Sequence, residues 1–169
     1  NNFSTFLLEY KESQGEDLYR RGLYTFIRRT SPPPNMLTFD ATSREVCTVK
    51  REVTSTPLQA LVLLNDPQFF EASRIFAERI IKSKDTLEDQ ISHGFRLATA
   101  RHPKEEELEI LIDLYKSQYQ YFRQNRDKAY QVLSVGEKAR DMNLYSVKTA
   151  AMTMVANTLL NHNETYTKR

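Results

Sequence analysis

Apolar residues recur every three to four positions along most of this chain, and that spacing predicts helices. Residues 17–29 place Leu18, Leu23, Phe26 and Ile27 near one face, with arginines around them. They read as a first helix, despite the cost of about 1 kcal/mol that Gly22 imposes relative to alanine. Before it, residues 1–15 carry Phe3, Phe6, Leu7, Leu8 and Tyr10 without a clear period. They are expected to be a short helix, or an arm that docks on upstream sequence. From Thr56 the helical signals become sharp. Thr56, Pro57 and Gln59 make a capping box with proline at the first helical position, and Asp66–Pro67 repeats the same device. The helix between them is apolar nearly all round, which predicts a central, buried element. The next helix has Phe69, Phe70, Ile75, Phe76, Ile80 and Ile81 on its buried side. Residues 86–100 follow, with Leu87, Ile91, Phe95 and Ala98 at core spacing, and His102–Pro103 breaks them.

Glu105, Glu106 and Glu107 then open a long helix to about Asn125, where a helix dipole favours acid. Its stripe is Leu108, Leu111, Ile112, Tyr115, Tyr119 and Phe122. A short helix over residues 127–135 ends before Gly136. Residues 143–160 close the pattern, with Leu144, Val147, Ala151, Met154, Val155 and Leu159 inward. Ala150, Ala151 and Ala156 allow close packing against a neighbour. The fold class is therefore all-α: an irregular multi-helix bundle, with residues 16–169 as one helical domain and 1–15 as an arm.

One stretch breaks the period. Ser31-Pro32-Pro33-Pro34 is expected to be extended, because each proline fixes φ and restricts the residue before it. Residues 30–56 then read as a long, mainly irregular segment, with β-branched Val46, Thr48 and Val49 as a possible short strand. Structureless loops of that length inside a compact domain are uncommon and often functional.

Composition narrows the function classes. A net charge of +2 is small for a nucleic-acid binder, and the basic residues near the segment are largely offset by Glu16, Asp17, Asp40, Glu45 and Glu52. The one cysteine, Cys47, leaves no intrachain disulfide, and no apolar run reaches the length of a membrane span. The chain begins Asn1-Asn2 and carries no export signal of its own; it is read as a fragment.

The candidate chemistry lies in the irregular segment. Asp40 and Glu45 form a possible acid–base pair, and Arg28, Arg29, Arg44 and Arg51 form a possible ligand or interdomain surface. The simpler account is that these groups satisfy the backbone of a loop that has no helical partners. Cys47 has no histidine near it in sequence, so a plain thiol fits better than a nucleophile. His93, His102 and His162 lack metal-ligand spacing, and no metal site is expected. Tyr115, Tyr119, Tyr121 and Phe122 could stack on sugar rings, although their helical spacing also suits core, and Tyr121 is the most outward of them.

The run LYRRGLYTFIRRTSPPPNMLTFDATSREVCTVKREVTSTPLQALVLLNDP, over residues 18–67, resembles a bacterial domain of unknown function from planctomycetes, their relatives and Bacteroidetes. The runs FRLATARHPKEEELEIL and NTLLNHNETYTKR resemble later parts of it. Two positions depart from the pattern: Lys104, where a Thr-like helix cap is expected, and Ser55, where asparagine is common. That family forms the C-terminal part of exported proteins that often carry a planctomycete-type cytochrome c domain upstream, sometimes with carbohydrate-binding modules. The resemblance implies a periplasmic or cell-surface location and upstream domains of the same polypeptide as partners. Any haem c would belong to such a domain, since this chain has no CxxCH and no cofactor of its own is expected. The favoured function is an accessory or scaffold domain that docks on upstream domains, with a polysaccharide as a further candidate ligand. The alternative is a hydrolase or redox enzyme acting on a carbohydrate-related substrate through Asp40 and Glu45.

Overall fold

A computed structural model describes residues 13–25, 27, 31–42, 46–50 and 54–166. Among the described residues the secondary structure is helical, with no β-strand. The all-α expectation holds. The chain divides into two compact units, Asn1–Val62 and Leu63–Arg169, and the divide falls inside one helix.

In the first unit, 3-10 turns at Gly15–Tyr19 and Gly22–Tyr24 stand in place of an α-helix over the described residues of 17–29. Arg20 and Arg21 between them are extended. Leu23 is 76% exposed and neither Leu18 nor Ile27 is fully buried, and a helix this short is marginal without a buried face. The expected short strand at Val46, Thr48 and Val49 is absent; those residues form bends and loop. The irregular segment also contains one short helix, α1 (Pro34–Thr38). The last of the three prolines occupies its first position, where a missing N–H does no harm.

Helix α2 (Pro57–Asn65) starts at the expected capping box. The Gln59 amide N–H donates to Thr56 Oγ1 at 3.3 Å, and Thr56 N–H donates to Gln59 Oε1 at 3.1 Å. The expectation that α2 is central fails: Leu58 and Leu61 are 56% and 55% exposed, and Gln59 is its one buried residue.

The second unit holds the core. Its helices are α3 (Pro67–Ser83), α4 (Leu87–Thr99), α5 (Glu105–Gln124), α6 (Arg126–Leu133), α7 (Ser146–Leu160) and α8 (Asn163–Tyr166). Asp66 caps α3 by accepting from Gln68 and Phe69 N–H, and Thr86 caps α4 by accepting from Asp89 N–H. Lys104 offers no acceptor at the start of α5; instead Glu107 reaches back to accept from Lys104 N–H at 2.8 Å. The central element is α7, which packs against α3, α4, α5, α6 and α8. Val147, Ala150, Ala151, Met152, Val155 and Ala156 on it are fully buried. Small side chains let neighbouring backbones approach from several sides, and its buried threonines satisfy themselves: Thr149 and Thr153 hydroxyls donate to the carbonyls of Tyr145 and Thr149. That combination suits α7 to the centre better than the bulky leucines of α2 do. Close approach recurs at Gly94, where a Cβ would sit 2.6 Å from Ile80 Cδ1.

Charge is buried here as well. Glu71 and Arg74, on the buried face of α3, hold the connection between α6 and α7. Glu71 Oε2 accepts from Glu137 N–H at 2.6 Å and Lys138 N–H at 3.3 Å. Arg74 donates to Glu78 Oε1 at 3.0 Å and to the Lys138 carbonyl. Glu78 also accepts from Asp141 N–H, and Lys82 pairs with the Asp141 carboxylate. Asp141 in turn accepts from Asn143 N–H, a turn that delays α7 from the expected residue 143 to Ser146.

Arg101 makes a second charged junction. It donates to both oxygens of Glu107 at 2.8 and 2.7 Å and to Glu164 at 2.7 Å, and its guanidinium lies 4.7 Å from the Phe95 ring centroid. The Arg101 hydrogen bonds, with help from Lys104 N–H, hold the Glu107 carboxyl down to about 2. Its folded value lies below its ordinary 4.5, so its contribution is complete above 4.5 and is lost as pH falls toward 2. A Tm series of Arg101→Met beside the native protein should show a gap that is constant near neutrality and narrows across that window. A gap that does not change with pH would contradict the assignment.

Candidate functional site

The irregular segment is closed by a small polar network. Asp40, just after α1, takes a left-handed backbone conformation with φ of 57°. Aspartate tolerates that region better than most side chains. Its carboxylate accepts from Thr54 N–H at 2.9 Å and from the Thr54 hydroxyl at 2.8 Å. Gln59 completes the closure from the first turn of α2. Its side-chain N–H donates to the Thr38 carbonyl at 2.9 Å, to Thr54 Oγ1 at 3.0 Å and to Asp40 at 3.4 Å. Because its carbonyl is already held by Thr56, this one buried amide joins the end of α1, the end of the loop and the helix cap.

Asp40 is therefore placed as a pin, with backbone and hydroxyl donors on its carboxylate. This is the simpler of the two roles read from the sequence. Glu45, Arg28, Arg29, Arg44 and Arg51 lie outside the described residues. Cys47 is a free, exposed thiol. Among the described residues no group of three or more His, Cys, Asp or Glu side chains is arranged to hold a metal ion. His162 accepts from Glu164 N–H and faces the Phe95 ring, a local structural position.

The sequence did not reveal what surrounds this pinned frame. Among the described residues of Asn1–Val62, only Pro33 and Gln59 are buried. Tyr19, Leu23, Tyr24, Leu37, Val46, Val49, Leu58 and Leu61 are exposed. Single exposed apolar residues are ordinary, but a unit in which none of its described Leu, Val, Ile, Met, Phe or Tyr side chains is buried is not. A signal was available at α2: its sequence is apolar on every face, more than one neighbour can cover.

No helix among the described residues is long and apolar enough to cross a membrane. No curated protein and no solved structure matches the chain. A family model matches residues 4–115, which include the described parts of the first unit, all of α3 and α4, and α5 as far as Tyr115. With most of its length matched, the chain belongs to the PSD1 family, proteins of unknown function (DUF1553).

Proposed function

We propose that this is an accessory docking domain of a longer, exported polypeptide, and that its first unit is the docking surface. The observation that carries this reading is that the first unit buries none of its described large apolar side chains. A segment of this size is marginal even with a well-formed core, so its leucines, valines and tyrosines call for a partner surface. The polar closure around Gln59 supports the reading too. It fixes α1 and the start of α2 by hydrogen bonds, so the exposed side chains are presented on a defined frame. The partner is an apolar protein surface, and the family resemblance makes an upstream domain of the same polypeptide the natural one. Such a partner is held at high effective concentration, so a modest interface suffices.

The test is a pair of substitutions, Leu58→Ser and Leu61→Ser, with binding to the separately produced upstream domain measured by calorimetry. Burial of each leucine is worth about 1.5–3 kcal/mol. Losing both should weaken binding roughly 100-fold or more. Thermal unfolding should shift by no more than about 0.5 kcal/mol in the unbound chain, as for other surface substitutions. Unchanged binding in the double variant would sink the proposal.

A further inference from the structure

A second surface stands wholly inside the unit Leu63–Arg169, independent of the docking reading. Where the turn before α4, the first turn of α4, the middle of α5 and the start of α7 meet, they line an open cleft of about 360 Å³. Its walls are Asp85, Leu87, Gln90, Tyr115, Tyr119, Tyr145 and Lys148. That volume is at the small end of the range for ligand sites, enough for a compact ring rather than an extended polymer segment.

The lining is amphipathic in a particular way. Tyr115 and Tyr119 lie one helical turn apart with rings stacked, centroids 6.0 Å apart and planes at 25°. Tyr145 adds a third, half-exposed ring. The polar groups around the rings are available. The side chains of Asp85, Lys148, Tyr115, Tyr119 and Tyr145 have no hydrogen bond or ion pair with any described residue. Burial pushes the Tyr115 hydroxyl up to about 12, so it remains a donor at neutral pH. Gln90 is 2% exposed, and its orientation is fixed because its side-chain N–H group donates to the carbonyls of Ile81 at 3.1 Å and Lys84 at 2.6 Å. The amide cannot turn over without losing both bonds, and its buried Oε1 is left without a partner among the described residues.

These features select a ligand class. One carboxylate and one ammonium cancel, so the cleft holds no net field for phosphate or for a polyanion. Tyrosine offers flat apolar area with a polar tip, which suits a ring that has an apolar face and hydroxyls at its edge. Both donors and acceptors stand around the rim. We propose that this cleft is a saccharide subsite that takes one neutral sugar ring, stacked on Tyr119 and hydrogen-bonded by Asp85, Lys148 and the tyrosine hydroxyls.

The test is NMR titration of the full chain, labelled on its tyrosine rings, with cellobiose, maltose, xylobiose and di-N-acetylchitobiose, and with inorganic phosphate as the charged comparator. At least one disaccharide should shift the Tyr115, Tyr119 and Tyr145 signals together and saturably in the millimolar range, while phosphate leaves them in place. Tyr119→Ala should weaken that binding at least 10-fold, and Tyr119→Phe, which keeps the ring, should weaken it less than 5-fold. The two variants change a partly buried ring beside the core, so unchanged circular dichroism and thermal unfolding in both separate loss of the site from loss of the fold. If no disaccharide shifts these rings, or if phosphate shifts them and sugars do not, the proposal is overturned. Equal binding by native protein and Tyr119→Ala overturns it as well.

Discussion

Replacing Gly136 by alanine should destabilise the helical unit by about 3 kcal/mol, one of the largest effects of any single methyl group in this protein. Two costs act together. The backbone at Gly136 has φ of 92°, a region closed to side chains. The added Cβ would also lie 2.0 Å from Glu71 Oε2 and 2.6 Å from Glu71 Cβ, so the carboxylate must leave its place. That carboxylate accepts from Glu137 and Lys138 N–H while buried, and losing a charged hydrogen bond of this kind costs about 1.5–3 kcal/mol. Urea unfolding checks the total, and a double-mutant cycle apportions it. In a Glu71→Gly background, which removes both the carboxylate and the Cβ that the new methyl meets, the same glycine substitution should cost only about 1 kcal/mol, the backbone share. Equal costs in both backgrounds would show that the carboxylate is not what the methyl displaces.

Arg74→Met should cost a similar amount, about 3–5 kcal/mol. Methionine fills much of the space, so the loss is chiefly electrostatic. Arg74 is fully buried and supplies one hydrogen bond to Glu78 and one to the Lys138 carbonyl. Removing it leaves a mostly buried carboxylate and a carbonyl that must find other donors. Glu78 keeps a single backbone donor, Asp141 N–H, which is too little to hold an isolated charge away from water. A second change, Glu78→Gln, should recover at least 1 kcal/mol in the Arg74→Met background, because the orphaned charge goes with it. A loss below 1 kcal/mol on Arg74→Met alone would mean that the connection between α6 and α7 is held by packing instead.

These two sites also show where sequence reading reaches and where it stops. Thr56 and Asp66 were legible as caps because each acts on amides two or three residues away. The stripes of α4 and α5 were legible because one face repeats at helical spacing, and Ile91, Phe95, Leu111, Tyr115 and Phe122 are indeed buried. Glu71 and Arg74 drew no attention in the sequence, since the backbone groups of residues 137 and 138 that help make them buryable lie more than 60 residues along the chain. Nothing local marks such a pair. The misplacement of α2 has a different cause. An all-apolar helix signals how much surface wants cover, and gives no hint whether the cover lies within the chain. In α7 the decisive property was side-chain size, through Ala150, Ala151 and Ala156, and that property was visible. Within the irregular segment, Asp40 was singled out for its carboxylate and not for a place in the loop's closure. Its partners Thr54 and Gln59 assign it to closing the loop, and only the folded geometry could say so.

The central claim is that the first unit completes its burial against a partner, while the unit Leu63–Arg169 is folded on its own core. Amide hydrogen exchange reads this directly, because protection follows the free energy of local opening. In the chain alone, α3, α4, α5 and α7 should exchange slowly, and the described residues up to Val62, α1 and the first turn of α2 included, should exchange orders of magnitude faster. With the proposed upstream partner domain present, protection should rise around Leu23, Leu37, Leu58 and Leu61 and stay unchanged in α7. Protection of the first unit already equal to that of α7 in the isolated chain, with no change on adding the upstream domain, would contradict the account.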